Sequence, residues 1–438
     1  MTSDVKEMLP SGFGRLWTAQ TVSSLGDGVT HAALPLLALT LTRNPMALAV
    51  VAAAGTLPWL LFGVLGGALV DRWDRRRTMW VADAARAVLL VLPAVAAALD
   101  VLSIPLLAAV AFLLGLGGLF FDTAATAYLP DLLGRTPALL ERANSRLRGA
   151  QTAASGFAGP PLGSALLALG RAVPLLADAV SFALSALLVR SLPAAPRPLP
   201  EARESLLRQA RAGASYVFRD RLLLGLALRP AVGNVAFLAV ETVLALFAHD
   251  RLGIHTFGFG LLLTAEAAGG LLGAGIASFL GRRLGTGTAL TCTAAVEGLA
   301  VLGLAAAPNP YVAGLALAVC GAGMGATMVL APSLRQAIVP AHLMGRVAST
   351  SRMLAMCAAP FGAFLGGWLA TTYDIRTPLY AAAGLLLTMT AVTATMTSNR
   401  RVEAALRGAA SDASDASVGG PGHRESEDLA REAVPGLS

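Results

Sequence analysis

"GGALVDRWDRRRTM", residues 66–79, is the stretch that decides how this chain is organised. Six of the seven residues from 71 to 77 are charged, and the stretch separates two long apolar segments. The chain of 438 residues is 55% hydrophobic and 13% charged, whereas soluble proteins average about 25% charged residues. This composition predicts a membrane protein, in which the charged stretch is a loop between two membrane spans.

The apolar segments are long enough to be membrane helices. A hydrocarbon core about 30 Å thick needs roughly 20 apolar residues per helix, and only helices or closed barrels satisfy the backbone there. The segments are too long for barrel strands, which predicts an all-α integral membrane fold with twelve spans. They lie near residues 15–42, 46–70, 78–99, 104–129, 145–169, 173–193, 222–248, 258–280, 286–306, 310–333, 347–371 and 377–396. The first segment is too long for a cleaved signal peptide and is predicted to remain as span one.

Basic residues predict the orientation, because cytoplasmic loops are enriched in them. With the N-terminus inside, 27 of the 33 Lys and Arg residues fall on the inner side. The outer loops hold four, namely Arg43, Arg171, Arg251 and Arg376. We therefore expect a multi-pass protein of a bacterial plasma membrane with both termini in the cytoplasm. The same bias accounts for the net charge of +7 without nucleic acid.

A polar segment divides the spans six and six. Residues 1–193 are predicted to form one six-helix bundle and residues 222–397 a second. The linker, 194–221, contains apolar residues at helical spacing, which predicts an amphipathic helix on the inner membrane surface. The tail, 398–438, lacks aromatic residues and is predicted to be disordered.

The two halves resemble each other internally. A shift of 207 residues places 63–76 on 270–283, so that two glycines and two arginines coincide. Spans two, five, eight and eleven each contain a Gly-x-x-x-Gly pair, a motif that lets helix backbones approach closely. The pairs are Gly63 and Gly67, Gly159 and Gly163, Gly269 and Gly273, and Gly362 and Gly366. One such pair is commonplace in membrane proteins, but four symmetric pairs predict that the bundles meet and slide along these helices.

Charged residues inside spans are costly and mark candidate substrate or proton pathways. Asp27 and His31 lie four residues apart on one face of span one. Glu241 is in apolar span seven, and Asn234 aligns with Asp27 under the 207-residue shift. These four residues are the predicted substrate or proton pathway, and the alternative is a structural hydrogen-bonding role. Asp83 and Arg86 in span three are predicted to form a local ion pair that supports the charged loop.

The loop "GALVDRWDRR" resembles the loop between spans two and three of the major facilitator superfamily. Gly67, Leu69, Asp71, Arg72, Arg75 and Arg76 match its pattern, and Asp74 replaces the usual second glycine. The stretches "QTVSSLGDGVTHAALPLLAL", "FFDTAATAYLPDLL" and "DAVSFALSALL" resemble the branch that contains enterobactin exporters and macrolide efflux proteins. The resemblance implies two pseudo-symmetric six-helix bundles that work by alternating access.

The resemblance also implies roles for individual residues. Asp71 would hold the N-terminus of span eleven as a gate latch, since a carboxylate is stabilised at the positive end of a helix dipole. Arg75 would bind a carboxylate at the end of span four, for which Asp131 is the candidate. Arg72 and Arg76 belong to the same loop, where the alternative is a purely topological role as positive-inside anchors.

Span five contains "GFAGPPLG", which partly matches a span-five pattern of superfamily antiporters. Gly159, Pro160 and Gly163 fit that pattern, and Ser164 replaces its last glycine. Proline at this place predicts a kink, because the helix loses a hydrogen bond there. The match favours export.

Enzymatic functions are excluded by what the sequence lacks. The only lysine is Lys6, so no phosphate-binding loop with its required lysine exists. The histidines form no metalloprotease motif, and the three cysteines lie in separate spans without metal-ligand spacing. We expect no metal and no cofactor.

The sequence therefore predicts a secondary transporter, expected to be a monomer, that exports a hydrophobic or amphipathic small molecule in exchange for protons. The compound could be a drug, an antibiotic or a secondary metabolite. Two alternatives remain open, an exporter of one specific metabolite such as a siderophore and a non-transporting membrane receptor.

Overall fold

The structure, a computed structural model, describes residues 11–70, 72–134, 136–193 and 206–418. These residues form fifteen α-helices and one π-helical segment, Thr152–Ala158, which joins α5 to α6. In chain order the helices are α1 (Ser11–Leu41), α2 (Pro45–Val70), α3 (Arg75–Ala98), α4 (Ile104–Leu133), α5 (Pro137–Gln151), α6 (Gly159–Leu169), α7 (Val173–Arg190), α8 (Leu206–Arg219), α9 (Arg221–Asp250), α10 (Thr256–Leu284), α11 (Thr286–Ala305), α12 (Pro310–Ile338), α13 (Ala341–Thr372), α14 (Thr377–Met396) and α15 (Asn399–Val418).

The helices match the predicted spans one by one. Helices α1–α4 are spans one to four, α5 and α6 together are span five, α7 is span six, and α9–α14 are spans seven to twelve. Among the described residues, ten helices are long and apolar enough to cross a membrane. The other two predicted spans are α1, which is 31 residues long but rich in polar side chains, and span five, which the π-helical segment divides. The all-α membrane fold is confirmed.

The break in span five follows from its prolines. Pro160 and Pro161 have no backbone N–H, so the carbonyls one turn earlier lose their α-helical donors. The chain responds with a π-helical turn, in which the N–H of Gly159 donates to the carbonyl of Ala154. Such turns occur often at functional sites.

Among the described residues, the hydrophobic clusters at one end of the molecule join the two bundles, and those at the other end do not. The end at which the bundles are joined carries the loops 42–44, 99–103, 170–172, 251–255, 306–309 and 373–376, and is called the outer end below, after the predicted orientation. One outer cluster joins Ala32 and Leu36 of α1 to residues of the second bundle, and another joins Leu246 of α9 to the first bundle. At the inner end, the two clusters of described residues each draw on a single bundle. The bundles are therefore closed against each other at the outer end.

The prediction that the bundles meet along spans two, five, eight and eleven is confirmed, but the Gly-x-x-x-Gly pairs that the structure describes in full do not form that contact. Helices α2 and α13, and α6 and α10, do meet across the interface. The glycine pairs, however, face partners inside their own bundles: Gly159 and Gly163 face α1, Gly269 and Gly273 face α12, and Gly362 and Gly366 face α9. The close crossings within a bundle need backbone contact, whereas the interface between α2 and α13 is built from Ala53, Ala359 and Ala363. The packing of Gly67 lies outside the described side chains.

Two helices flank the second bundle at the inner end. Helix α8, the predicted amphipathic helix, buries Val217 against that bundle, and Gly213 lets it approach the carbonyl of Arg346 in α13. Residues 194–205 of the predicted linker lie outside the described residues. The prediction of a disordered tail from residue 398 is corrected for its first part, because α15 is helical. Val402 is buried, and the Asn399 amide binds the carbonyl of Leu284 at 2.8 Å, so tertiary contacts hold this helix in place.

Candidate functional site

A central cavity of about 660 Å³ lies between the two bundles. Helices α1, α2, α3, α4, α7 and α9 line it, together with the π-helical part of span five. Its polar lining includes Gln20, Asp27, Thr30, His31, Arg86, Asp122, Asp178 and Glu241, and its large aromatic lining includes Trp59, Phe121, Phe182 and Phe237. The cavity thus combines apolar walls with several carboxylates, as small-molecule sites commonly do.

Arg86 of α3 is the centre of the charged groups in the first bundle. Its Nη2 donates to Oδ1 of Asp27 at 2.5 Å, and its Nη1 lies 3.3 Å from Oδ1 of Asp83. Its guanidinium stacks over the ring of Phe182 at 3.7 Å. The structure contains the predicted contact between Asp83 and Arg86, but it directs Arg86 towards Asp27 and the cavity rather than towards the charged loop. Asp83 has no exposed surface, so the pair lies in the interior of the bundle.

Asp178 of α7 is a further cavity carboxylate, held by hydroxyl groups. Thr30 of α1 donates to one of its oxygens at 2.5 Å, and Ser181 donates to the other at 3.0 Å. Gly26 permits this approach, since a Cβ there would stand 2.1 Å from the Asp178 carboxylate. Sequence reasoning could not assign Asp178 a place. The only available signal was a charged residue inside an apolar span.

His31 and Glu241 meet across the interface between the bundles. Nε2 of His31 in α1 lies 3.4 Å from Oε1 of Glu241 in α9. The side chains retain 45% and 22% of their exposure, so both are accessible from the cavity. The sequence predicted both residues for the pathway but not their contact, because it carries no signal that span one faces span seven at this height. Asp122 of α4 lines the same cavity.

Asn234, the fourth residue of the predicted pathway, is turned away from these groups. Its Nδ2 donates to the carbonyl of Ala355 in α13 at 2.9 Å, and it is not among the described residues that line the central cavity. Helix α13 runs close to α9 here, since a Cβ on Gly362 would stand 2.2 Å from the carbonyl of Val235. The amide therefore meets the backbone of α13, and a place for Asn234 in the pathway stays a prediction.

The charged loop is bound to the first bundle through two of its arginines. Nη1 of Arg75 contacts the carboxylate of Asp131 and donates to the carbonyl of Ala127 at 3.1 Å. Arg76 donates to the carbonyl of Leu192 at 2.6 Å. Arg72 is exposed. The structure thus brings Arg75 and Asp131 together, whereas Asp71 lies outside the described residues.

The span-five residues lie where α1, span five and α10 converge. A Cβ on Gly159 would stand 2.6 Å from Cα of Gly28 in α1, and one on Gly163 would stand 2.3 Å from the carbonyl oxygen of Val29. On the other side, a Cβ on Gly260 of α10 would stand 2.5 Å from the carbonyl oxygen of Pro160. The motif therefore packs against both bundles at once.

The second bundle holds a charged cluster of its own. Nη2 of Arg229 in α9 lies 3.4 Å from Oε1 of Glu297 in α11 and donates to Thr327 of α12 at 2.7 Å. The pair of Arg229 and Glu297 mirrors the pair of Asp27 and Arg86, because span seven corresponds to span one and span nine corresponds to span three. The signs are reversed: the first helix of the first bundle carries the acid, and the first helix of the second bundle carries the base.

Ion pairs also connect loops at the outer end. Arg43, between α1 and α2, lies 2.7 Å from Asp250 at the end of α9, which links the two bundles. Arg251 contacts Asp374 within the second bundle. Partial burial opposes ionisation of Asp374, but hydrogen bonds from the backbone N–H of Arg376 and from Arg251 outweigh it and hold the pKa of Asp374 below its ordinary value.

Comparisons with known proteins agree with this architecture. The family described as transmembrane secretion effector matches residues 7–416. The multidrug efflux pump Tap of Mycolicibacterium fortuitum is 29% identical over 387 residues, covering 86% of this chain and 91% of that protein. The Tap pump of Mycobacterium tuberculosis strain H37Rv is 30% identical over 389 residues, covering 85% of this chain and 88% of that protein.

Solved structures show the same fold at low sequence identity. A bacterial homologue of the iron transporter ferroportin, in its inward-facing state, superposes with a TM-score of 0.71 at 19% identity, covering 90% of this chain and 100% of that one. The nucleoside transporter NupG superposes with a TM-score of 0.70 at 15% identity, covering 89% of this chain and 100% of that one.

Proposed function

Because the chain belongs to the transmembrane secretion effector family of the major facilitator superfamily, we propose that it exports a hydrophobic or amphipathic small molecule by alternating access, in exchange for protons. The chain is a multi-pass membrane transporter and not an enzyme. Its similarity to the Tap multidrug efflux pumps supports drugs, antibiotics or secondary metabolites as the substrate class.

The lining of the central cavity supports a cationic amphipathic compound in particular. Four carboxylates, those of Asp27, Asp122, Asp178 and Glu241, face one arginine there. The aromatic side chains supply apolar surface, and their rings attract cations as well. A lipophilic cation would satisfy both parts of this lining, whereas an anionic siderophore would meet an excess of negative charge.

The contact between His31 and Glu241 is the observation that carries the proposal of antiport. The pair joins the two bundles inside the cavity. A cationic substrate that replaces His31 at Glu241 loosens the closed outer end. Once that end is open, a proton that binds Glu241 from outside releases the substrate, and His31 meets Glu241 again as the outer end closes. Exchange requires that substrate and proton compete for one carboxylate. Each ligand shifts the equilibrium between the outward-closed and outward-open states only through its differential affinity for them.

The charged loop and span five complete the proposed mechanism. With the predicted orientation, the end at which the bundles are closed faces away from the cytoplasm, and Arg75 bound to Asp131 fixes the loop on the first bundle. Asp71 forms the latch to span eleven when the inner end closes. Gly159, Pro160 and Gly163 let span five move as a unit with α1 against α10.

Transport into inverted membrane vesicles tests the proposal. A panel of fluorescent lipophilic cations, macrolides and siderophores is offered with and without an acidic vesicle interior, to wild type, Glu241→Gln and Glu141→Gln. Glu141 is exposed on α5 away from the cavity, which makes it the matched control for the same chemical change. Gradient-driven accumulation of cations that only Glu241→Gln abolishes supports the proposal. Accumulation of siderophores alone favours the specific-metabolite alternative, and no accumulation of any compound favours a receptor.

A further inference from the structure

A second cavity, of about 900 Å³, lies on the membrane-facing side of the first bundle between α3 and α4. We call it the α3–α4 groove. Its α4 wall is formed by Leu113, Leu116, Gly117 and Phe120, whereas Leu114, Gly118 and Asp122 line the central cavity. The two cavities therefore lie on opposite faces of α4, and the groove faces the lipid.

The walls of the groove are apolar over the depth of one membrane leaflet. Val81 and Leu89 of α3 face Leu113 and Leu116 of α4, and Val81 and Leu113 are 43% and 45% exposed. From Arg77 to Leu89 the wall is about 18 Å long at 1.5 Å per residue. Half of the hydrocarbon core measures about 15 Å. The length suits an extended acyl chain.

The mouth of the groove is basic. Arg72, Arg77 and one acidic residue, Asp74, line it, and within the described part of the chain neither arginine side chain has a hydrogen-bond or ion-pair partner. Arg75 and Arg76, by contrast, are bound to the first bundle. The loop 71–77 contains four arginines and two aspartates, so its net charge is positive even with Asp71 included. The mouth therefore attracts anions.

An aromatic side chain marks the membrane interface at the same height. Trp73 is 46% exposed, and its ring lies 5.7 Å from that of Phe120 inside the groove. Tryptophan is enriched at the headgroup level of membranes because its ring is apolar and its N–H is polar. The arginines at the mouth thus lie where lipid phosphates lie.

We propose that the α3–α4 groove binds an anionic phospholipid of the inner leaflet, with its phosphate between Arg72 and Arg77 and one acyl chain between α3 and α4. The positive charge of the mouth favours an anionic lipid over the export substrate, because the two arginines would repel a lipophilic cation. At its deep end the groove reaches the aliphatic part of Arg86, which fills the space that Gly117 leaves. The bound acyl chain therefore packs behind the residue that pairs with Asp27.

Native mass spectrometry of the purified full chain tests the proposal without reference to transport. Phosphatidylglycerol and phosphatidylcholine are titrated separately into the detergent-solubilised protein. Wild type is expected to bind phosphatidylglycerol more tightly. Arg72→Gln combined with Arg77→Gln is expected to weaken that binding about 30-fold, since each basic residue near the lipid surface contributes about a factor of five.

Two matched controls make the result specific. Arg282→Gln combined with Arg283→Gln removes the same charge from the corresponding inner end of the second bundle and is expected to leave the preference unchanged. Ala85→Phe fills the groove and keeps both arginines, whereas Val88→Phe adds the same ring to an exposed site on α3 that is not part of the groove. Only Ala85→Phe is expected to lower lipid binding.

Several outcomes would overturn the proposal. Equal binding of both lipids shows that the arginines do not select a net negative headgroup, and an equal loss in the two double variants shows a general charge effect. Unchanged lipid binding in Ala85→Phe shows that no acyl chain occupies the groove. If a transported cation displaces the lipid, and the arginine variants bind the lipid as tightly as wild type does, the groove is assigned to the substrate instead.

Discussion

His31 and Glu241 belong to different six-helix bundles, yet their side chains lie 3.4 Å apart inside the central cavity. The contact is formed only while the bundles are together at the outer end, so it reports on the state of the transporter. Both residues are partly exposed, and exposed ion pairs contribute about 0.2–1 kcal/mol. The pair is therefore weak enough to break within a transport cycle.

His31→Gln is expected to shift the protein towards the state that is open at the outer end. The shift is at most about fivefold in population, because the pair stabilises closure by no more than about 1 kcal/mol. Distances between spin labels on the loops at 42–44 and 251–255 measure it. His255→Gln, in the same outer region and without a side-chain hydrogen bond or ion pair to any described residue, is the control, and an equal shift there would contradict the assignment.

Arg86→Ala is expected to destabilise the folded protein by about 3–5 kcal/mol, because it leaves the buried carboxylate of Asp83 without a partner. Asp27→Asn is expected to cost much less, since Asp27 is partly exposed to the cavity. Denaturant unfolding in detergent measures both. Adding Asp83→Asn to Arg86→Ala should recover part of the loss, and failure to recover any would show that Arg86 acts through packing alone.

Gly163→Ala is expected to lower stability by about 1–3 kcal/mol through overpacking. The added Cβ would stand 2.3 Å from the carbonyl oxygen of Val29, so α1 and span five must separate. Gly149→Ala is the control, since nothing lies within 4 Å of its added Cβ. Thermal unfolding measures both variants. Similar melting temperatures would show that α1 and span five pack less closely than they do in the structure.

The stabilising effect of Asp374 is expected to disappear at low pH. Its folded-state pKa is lowered, so ionised Asp374 stabilises the protein above the ordinary aspartate pKa of about 4, and the effect is lost as the pH falls through the lowered value. Asp374→Asn should therefore reduce the melting temperature at pH 7 and have a shrinking effect at more acidic pH. Asp100→Asn, at a more exposed outer ion pair, serves as the comparison.

Asp131→Asn and Arg75→Gln are expected to impair transport to the same extent, and the double variant no further, because each breaks the same contact. Initial rates of export in vesicles measure the three variants. Additive losses would show that the two residues act separately. Arg142→Gln, at an exposed site on α5 outside this loop, should retain the wild-type rate.

Much of the fold could be predicted because the bilayer dictates the length and polarity of each span. The loop at 71–77 could be placed between two spans for the same reason, and its partner Asp131 could be named from a resemblance. The contact of Arg86 with Asp27 could not, since it depends on the rotation of α3 relative to α1. The position of Asn234 beside α13 could not be foreseen either, because equivalent positions of the two halves need not face the same neighbours. The tail helix was missed because its stability comes from Asn399 and Val402 packing on other helices.

The reversed signs of the two internal charge clusters have an electrostatic consequence. The halves of such transporters are related by an axis along the membrane normal, and under a strict two-fold the in-plane dipoles of the halves would cancel. Here the acid and the base have exchanged places between the corresponding helices of the two halves, so the two dipoles point the same way and add. A single transverse field results. An elongated cation inside the protein therefore has one preferred heading in the plane of the membrane.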